Sequence, residues 1–221
     1  MNEFIEIFSG SDPEDISTSV KLLLLLTVLS LAPGILILMT SFTRILIVLS
    51  FVRTSLATQQ MPPNQVLVGI ALFLTFFIMA PTLQEVNDQA LTPLFNEEIT
   101  LDEAYEEASI PMKDFMGKHT RQKDLALFIN YSGMERPETI QDVPLTTLVP
   151  AFAISELKTA FQMGFMIFVP FLVIDMAVAS VLMSMGMMML PPVMISLPFK
   201  ILLFVLVDGW FLITKSLLEG F

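Results

Sequence analysis

Residues 183–194 read M-S-M-G-M-M-M-L-P-P-V-M, and how this stretch is parsed decides the fold. Six of the chain's 16 methionines fall in it, with one glycine, two adjacent prolines and no charge. The pair Pro191-Pro192 cannot sit inside a helix, because each ring removes a backbone donor and collides with the preceding turn. One apolar helix therefore ends near Gly186 and another begins just after Pro192. A surface turn would use Asn, Asp or Ser. This one offers Met183, Met185, Met187, Met188, Met189 and Leu190 instead. Methionine is unbranched and polarizable, so a cluster of it makes either a gap-filling buried corner or a surface that deforms and reseals. Composition alone favours the corner.

The rest of the chain says what kind of helices this join connects. Of 221 residues, 54% are apolar, and the mean hydropathy is +0.75. Those values point to an integral membrane protein. The net charge of −11 is uneven. Glu3, Glu6, Asp12, Glu14 and Asp15 precede the first base, and Arg44 and Arg53 are the only charges from Leu22 to Gln84. No basic patch offers nucleic acid an electrostatic footprint. With no cysteine and a single histidine, His119, thiolate chemistry and a multi-histidine metal site are excluded. The start lacks the basic lead of a secretory signal. Either the first apolar helix inserts the chain, or a leader precedes it.

A helix needs about 20 apolar residues to span. Leu22–Met39 fits, with Pro33-Gly34 expected to kink it. Ile45–Val52 is too short to span and reads as a helix packed on protein. Val66–Leu83 is the second span, with Pro81 at its end. Thr100-Leu-Asp-Glu103 has the form of a capping box. It predicts a helix from Leu101 to about Lys118, broken at Pro111, followed by a second helix over Arg121–Tyr131 and a stop at Ser132-Gly133. The acids Asp102, Glu103, Glu106 and Glu107 read as a solvated face, because calcium-loop spacing is absent. An amphipathic segment, Leu148–Gln162, leads into a third span, Met163–Met183, interrupted by Pro170 and Asp175. The fourth is Val193–Thr214.

The expectation is an all-α integral membrane protein in which two apolar helical hairpins flank a small helical extramembrane domain. An acidic segment (1–20) precedes the first hairpin (21–84). An acidic helical domain (85–150) separates it from the second hairpin (151–221), which carries the Met-rich loop 183–194. Arg44 and Arg53 in the first turn should face the cytoplasm. That places residues 85–150 outside the cytoplasm and the 184–192 turn inside, in a multi-pass protein of the cell membrane.

Four charges lie in these apolar surroundings: Arg44, Asp175, Lys200 and Asp208. A charge at a lipid-facing helix centre costs about 2.5–3.5 kcal/mol, so these should be buried against protein, a wet cavity or each other. Glu156 and Lys158 are two apart and cannot pair on one helix. Each should reach another helix or another subunit. No nucleophile, zinc or nucleotide motif supports catalysis, and no cofactor or metal is expected. Two membrane aspartates suggest an intramembrane protease, but the Gly-x-Gly-Asp context is missing. An ion-coupled secondary transporter using Asp175, Lys200 and Asp208 is the alternative class, though its internal repeat is not visible between the two hairpins.

Six ordered motifs carry a more specific reading: M-T-S-F-T-R at 39–44, P-P-N-Q-V-L at 62–67, A-L-F-L-T-F-F-I-M at 71–79, S-E-L-K-T-A-F-Q at 155–162, G-M-M-M-L-P-P at 186–192, and L-P-F-K through V-L-V-D-G-W at 197–210. Together they resemble the FliP/SctR family of the type III export apparatus. The resemblance implies a core pore-forming subunit of the flagellar basal body. Further copies of the chain would assemble with FliQ and FliR into an export gate. Unfolded flagellar proteins, delivered by FlhA and FlhB, would pass through it. Met187, Met188 and Met189 would form the methionine gasket, supported by Met183, Met185, Gly186, Pro191 and Pro192. Glu156 and Lys158 would lie at subunit contacts. The resemblance turns the Met run from a packed corner into a gate. Two features depart from the pattern: the absence of the cleaved signal that many relatives carry, and Leu190 after the Met triplet.

Overall fold

A computed structural model of the protein describes residues 26–27, 30–58, 60–134, 137–187 and 190–221. These are all-α, with no strand among the described residues. The chain divides into two compact units, residues 1–37 and 38–221. The described part of the first is helical at residues 26–27 and again from residue 30, in a helix α1 (Ser30–Met39) that runs on through Pro33-Gly34.

The second unit begins with α2 (Phe42–Ser55). Ile45, Val48, Leu49 and Val52 recur at helical spacing and are essentially inaccessible. They form one apolar stripe, which packs along a later helix, α6. The expected short helix packed on protein is present. Helix α3 starts after Pro63 at Asn64 and reaches Val86. It continues through a π-helical turn, Asn87–Leu91, and a last turn, Thr92–Phe95. The whole run of 32 residues is about 48 Å long at 1.5 Å per residue. Pro81 lies inside it and does not end it. One lost backbone hydrogen bond is tolerated in a long apolar helix whose other bonds persist. The boundary expected at residue 84 therefore falls within a helix.

The segment that follows starts as the sequence predicts. The Thr100 hydroxyl accepts from the Glu103 N–H, and the Glu103 carboxylate accepts from the Thr100 N–H at 2.8 Å. Helix α4 (Leu101–His119) runs unbroken through Pro111, against the expected break. Helix α5 (Gln122–Ser132) ends at Gly133. A short 3-10 turn at Ile140–Asp142 leads to α6, Leu145–Ser184. Here the sequence reading is corrected: the amphipathic segment and the third span are one helix of 40 residues, about 60 Å long. Pro150 and Pro170 both lie inside it.

The expected fourth span is two helices, α7 (Pro192–Leu206) and α8 (Gly209–Glu219), bent by 62°. The bend is built by Asp208-Gly209. Asp208 adopts φ +52°, a region Asp tolerates better than most side chains. A Cβ on Gly209 would lie 2.3 Å from the Phe204 ring, so only glycine lets the chain fold back there. The main core cluster is Met79 of α3, Phe115 and Met116 of α4, Val143, and Leu148 and Phe152 of α6. It knits the middle segment to the two long helices. Asn64–Phe95 and Leu145–Ser184 are each long and apolar enough to cross a membrane, as are the α1–α2 and α7–α8 pairs if each pair counts as one span. Only 22% and 11% of the apolar windows of the two long helices are buried within the chain.

Candidate functional site

The candidate site is the tip of the α6–α7 hairpin. Helix α6 ends in a Schellman closure: the Gly186 N–H donates to the Met183 carbonyl, and the Met187 N–H to the Leu182 carbonyl, both at 3.0 Å. Such a closure needs a left-handed residue in its turn, and Gly186 supplies φ +74°. Beyond the turn, Pro191 precedes the helix and Pro192 is its first residue, where its missing N–H costs nothing. The ends of the loop are thus fixed by glycine on one side and proline on the other.

The side chains at this tip point away from the core. Met183 is 62% exposed, Met185 59% and Met187 43%. Leu190, Val193 and Met194 are also exposed. Met188 and Met189 lie outside the described residues. No charged residue occurs between Asp175 and Lys200.

Those two charges close the hairpin behind the tip. Lys200 Nζ donates to Asp175 Oδ2 at 2.6 Å, and Ser196 Oγ to Asp175 Oδ1 at 2.5 Å. Lys200 is 2% exposed, and its pairing relieves the cost of an ammonium in apolar surroundings. Asp208 is exposed on the single chain, at the α7–α8 bend. A left-handed turn at a helix break leaves its carboxylate at the surface of the chain. The three groups of the transporter reading are therefore not gathered, since Asp175 and Lys200 neutralise each other.

A second buried pair ties α2 to α6. Arg44 Nε donates to Glu156 Oε2 at 2.8 Å, and Nη2 donates to Oε1. Arg44 is 3% exposed and Glu156 1%. Of the two kinds of partner expected for Glu156, another helix or another subunit, its carboxylate reaches the helix: both oxygens are taken by Arg44 of α2. Lys158, two residues on, is exposed on the opposite side of α6. The third Arg44 donor, Nη1, reaches the Gly220 carbonyl at 2.7 Å, and the guanidinium carbon lies 3.7 Å from the centroid of the Phe221 ring.

One polar cluster was not anticipated. Ser155 Oγ donates to Asp124 Oδ2 at 2.6 Å, the Arg121 N–H donates to Ser155 Oγ, and Arg121 Nη2 also reaches Asp124. Burial pushes the Asp124 carboxyl up, but the Ser155 and Arg121 bonds outweigh it and hold the pKa below the usual aspartate value. The only trace in the sequence is Ser155 standing beside Glu156, one face further round the same helix. Among the described residues, no group of three or more His, Asp or Glu side chains could hold a metal ion.

The FliP family model matches residues 25–217. The flagellar biosynthetic protein FliP of Bacillus subtilis (strain 168) is 78% identical over 221 residues, covering 100% of both chains. FliP of Caulobacter vibrioides is 55% identical over 91% of this chain and 76% of its own. FliP of Aquifex aeolicus is 48% identical over 92% of this chain and 86% of its own. The matched region contains the Met hairpin and both buried ion pairs, and the chain belongs to the FliP family.

Proposed function

We propose that the chain is a pore-lining, non-catalytic subunit of the flagellar type III protein export gate, closed by its methionine hairpin. The observation that carries this is the tip of the α6–α7 hairpin. It is uncharged, its ends are fixed, and Met183, Met185 and Met187 are exposed. A pore wide enough for an unfolded chain needs a lining that excludes water and ions yet moulds around varied side chains. A hydrophobic constriction blocks ions by dewetting, and thioether chains repack without one fixed partner. Several copies would be needed to surround a pore. The low burial of the apolar faces of Asn64–Phe95 and Leu145–Ser184 within one chain supports assembly with further copies and with FliQ and FliR. FlhA and FlhB would deliver unfolded flagellar substrates at the cytoplasmic side.

The test replaces Met187, Met188 and Met189 together with Ala. The expected result is a complex that assembles at wild-type abundance but passes small ions or solutes across the membrane. Normal assembly with wild-type impermeability would return the cluster to an ordinary packed corner.

A further inference from the structure

Phe221 is held from two sides. The Arg44 guanidinium lies over its ring at 3.7 Å. The His119 imidazole meets the same ring edge-on, 5.0 Å between centroids, and Phe115 stacks on it at 6.2 Å. His119 also packs on Phe115 at 4.9 Å. This aromatic cluster joins the end of α4 to the residues that follow α8. It does not belong to the Met hairpin or to the Asp175–Lys200 pair.

We propose that this cluster is a proton-sensitive clamp: with His119 neutral, His119 and Arg44 grip Phe221 and anchor α8 on α4, and protonation of His119 releases it. The neutral imidazole suits an apolar, aromatic setting. An imidazolium there would sit half-buried and face the fixed Arg44 cation of α2 and Lys118 of its own helix. Glu156 of α6 gives no relief, because both its oxygens are bound to Arg44. The exposed Lys215–Glu219 pair of α8 is self-neutralised. The acids that could receive the proton-bearing ring are Glu85 of α3 and Asp114 of α4. Both line a cavity of about 480 Å³ that His119 and Phe221 also line. Asp114 already accepts from Gln141 at 2.7 Å, so Glu85 is the available partner. Turning toward it takes the imidazole off the Phe221 ring.

The electrostatics agree in sign. Burial, then Arg44 and Lys118, push the His119 pKa down to about 4. The gripped form is therefore fully favoured above the ordinary histidine range. It loses ground as pH falls, by at most about tenfold per unit between pH ~6.5 and ~4.

The chain has no cysteine, so a spin-label pair at Lys123→Cys and Lys215→Cys can report the α8-to-α5 distance in the full-length protein in nanodiscs. At pH 7.5 one narrow distance distribution is expected, broadening at pH 4.5. H119Q should stay narrow at both values. F221A should be broad at both. Acid broadening in H119Q equal to that of the unsubstituted protein would overturn the proposal, and so would a distribution that stays narrow at pH 4.5 in the unsubstituted protein. If H119Q does not accumulate, H119F supplies the same unprotonatable contact with an aromatic ring.

Discussion

Arg44 makes three contacts to two other segments through one planar group: Glu156 of α6, and the Gly220 carbonyl and Phe221 ring that follow α8. Lysine cannot reproduce this, because an ammonium lacks the fork that engages both carboxylate oxygens and the flat face that stacks on a ring. Arg44→Ala leaves a buried carboxylate without its partner, which typically costs about 3–5 kcal/mol. The expected outcome is loss of folded protein for Arg44→Ala and partial loss for Arg44→Lys, read by thermal unfolding in detergent. A thermal midpoint for Arg44→Ala equal to that of the unsubstituted chain would mean that the pair adds nothing to stability. Two other side chains set an acid limit. His119, with its pKa lowered to about 4, binds protons more weakly folded than unfolded. Its contribution is complete above pH ~6.5 and disappears as pH falls toward ~4. Asp124, also lowered, contributes fully above the unfolded aspartate pKa of about 3.9 and loses that contribution only below it. Stability should therefore fall in two stages on acidification, and H119Q should remove the upper stage alone. A single-stage profile in the unsubstituted protein, or an upper stage that survives in H119Q, would contradict the assignment.

At the level of elements, α2 and α6 approach closely at Gly164 of α6. A Cβ there would lie 2.4 Å from ring atoms of Phe51 on α2. Phe51 is also fixed edge-on against Phe161, 5.4 Å away, so the ring has little room to move. Gly164→Leu should force α2 and α6 apart and cost on the order of 1–3 kcal/mol or more, the usual range for overpacking. Gly69→Leu, where a Cβ meets nothing within 4 Å, is the control and should differ little. Equal protease resistance of the two variants would argue against the close packing. Which elements the sequence could show follows from the same kind of detail. The capping box at Thr100 and Glu103 and the breaks at Gly186 and Pro191-Pro192 are local signals, and the helices begin and end there. Pro81, Pro111 and Pro170 carry the same local signal but do not break their helices. Long helices packed against neighbours absorb one missing bond, and that tolerance is tertiary. The Arg44–Glu156 pair is separated by 112 positions, so each charge could be recognised as needing a partner without the partner being named. Phe221 gave no pattern and the Asp124–Ser155 cluster almost none, because the first acts only once α2, α4 and the end of α8 meet and the second only once α5 packs on α6.

At the scale of the whole chain, the lengths of α6 and of the α3 run limit how the protein can sit in a bilayer. Both, at about 60 and 48 Å, exceed a hydrocarbon core of about 30 Å, so each must project into water or into other protein. The end of the α3 run carries Glu85 and Asp88 and packs with α4, and the start of α6 supplies Leu148 and Phe152 to the core around Phe115. Both excess lengths are therefore spent on the side where α4 and α5 lie. The Met tip is at the other end of the 40-residue α6. Placing residues 85–150 outside the cytoplasm, as Arg53 in the last turn of α2 favours, puts the tip on or toward the cytoplasmic side; Arg44, expected in the same turn, lies instead at the α4 end, paired with Glu156 and over Phe221. The absence of cysteine makes the test clean. Glu103→Cys and Lys123→Cys should react with a membrane-impermeant maleimide in wall-stripped intact cells. Met185→Cys should react only after lysis, or more slowly still if the assembled gate encloses it. Labelling of Met185→Cys in intact cells, with Glu103→Cys protected until lysis, would invert the topology and place the methionine hairpin on the outer side.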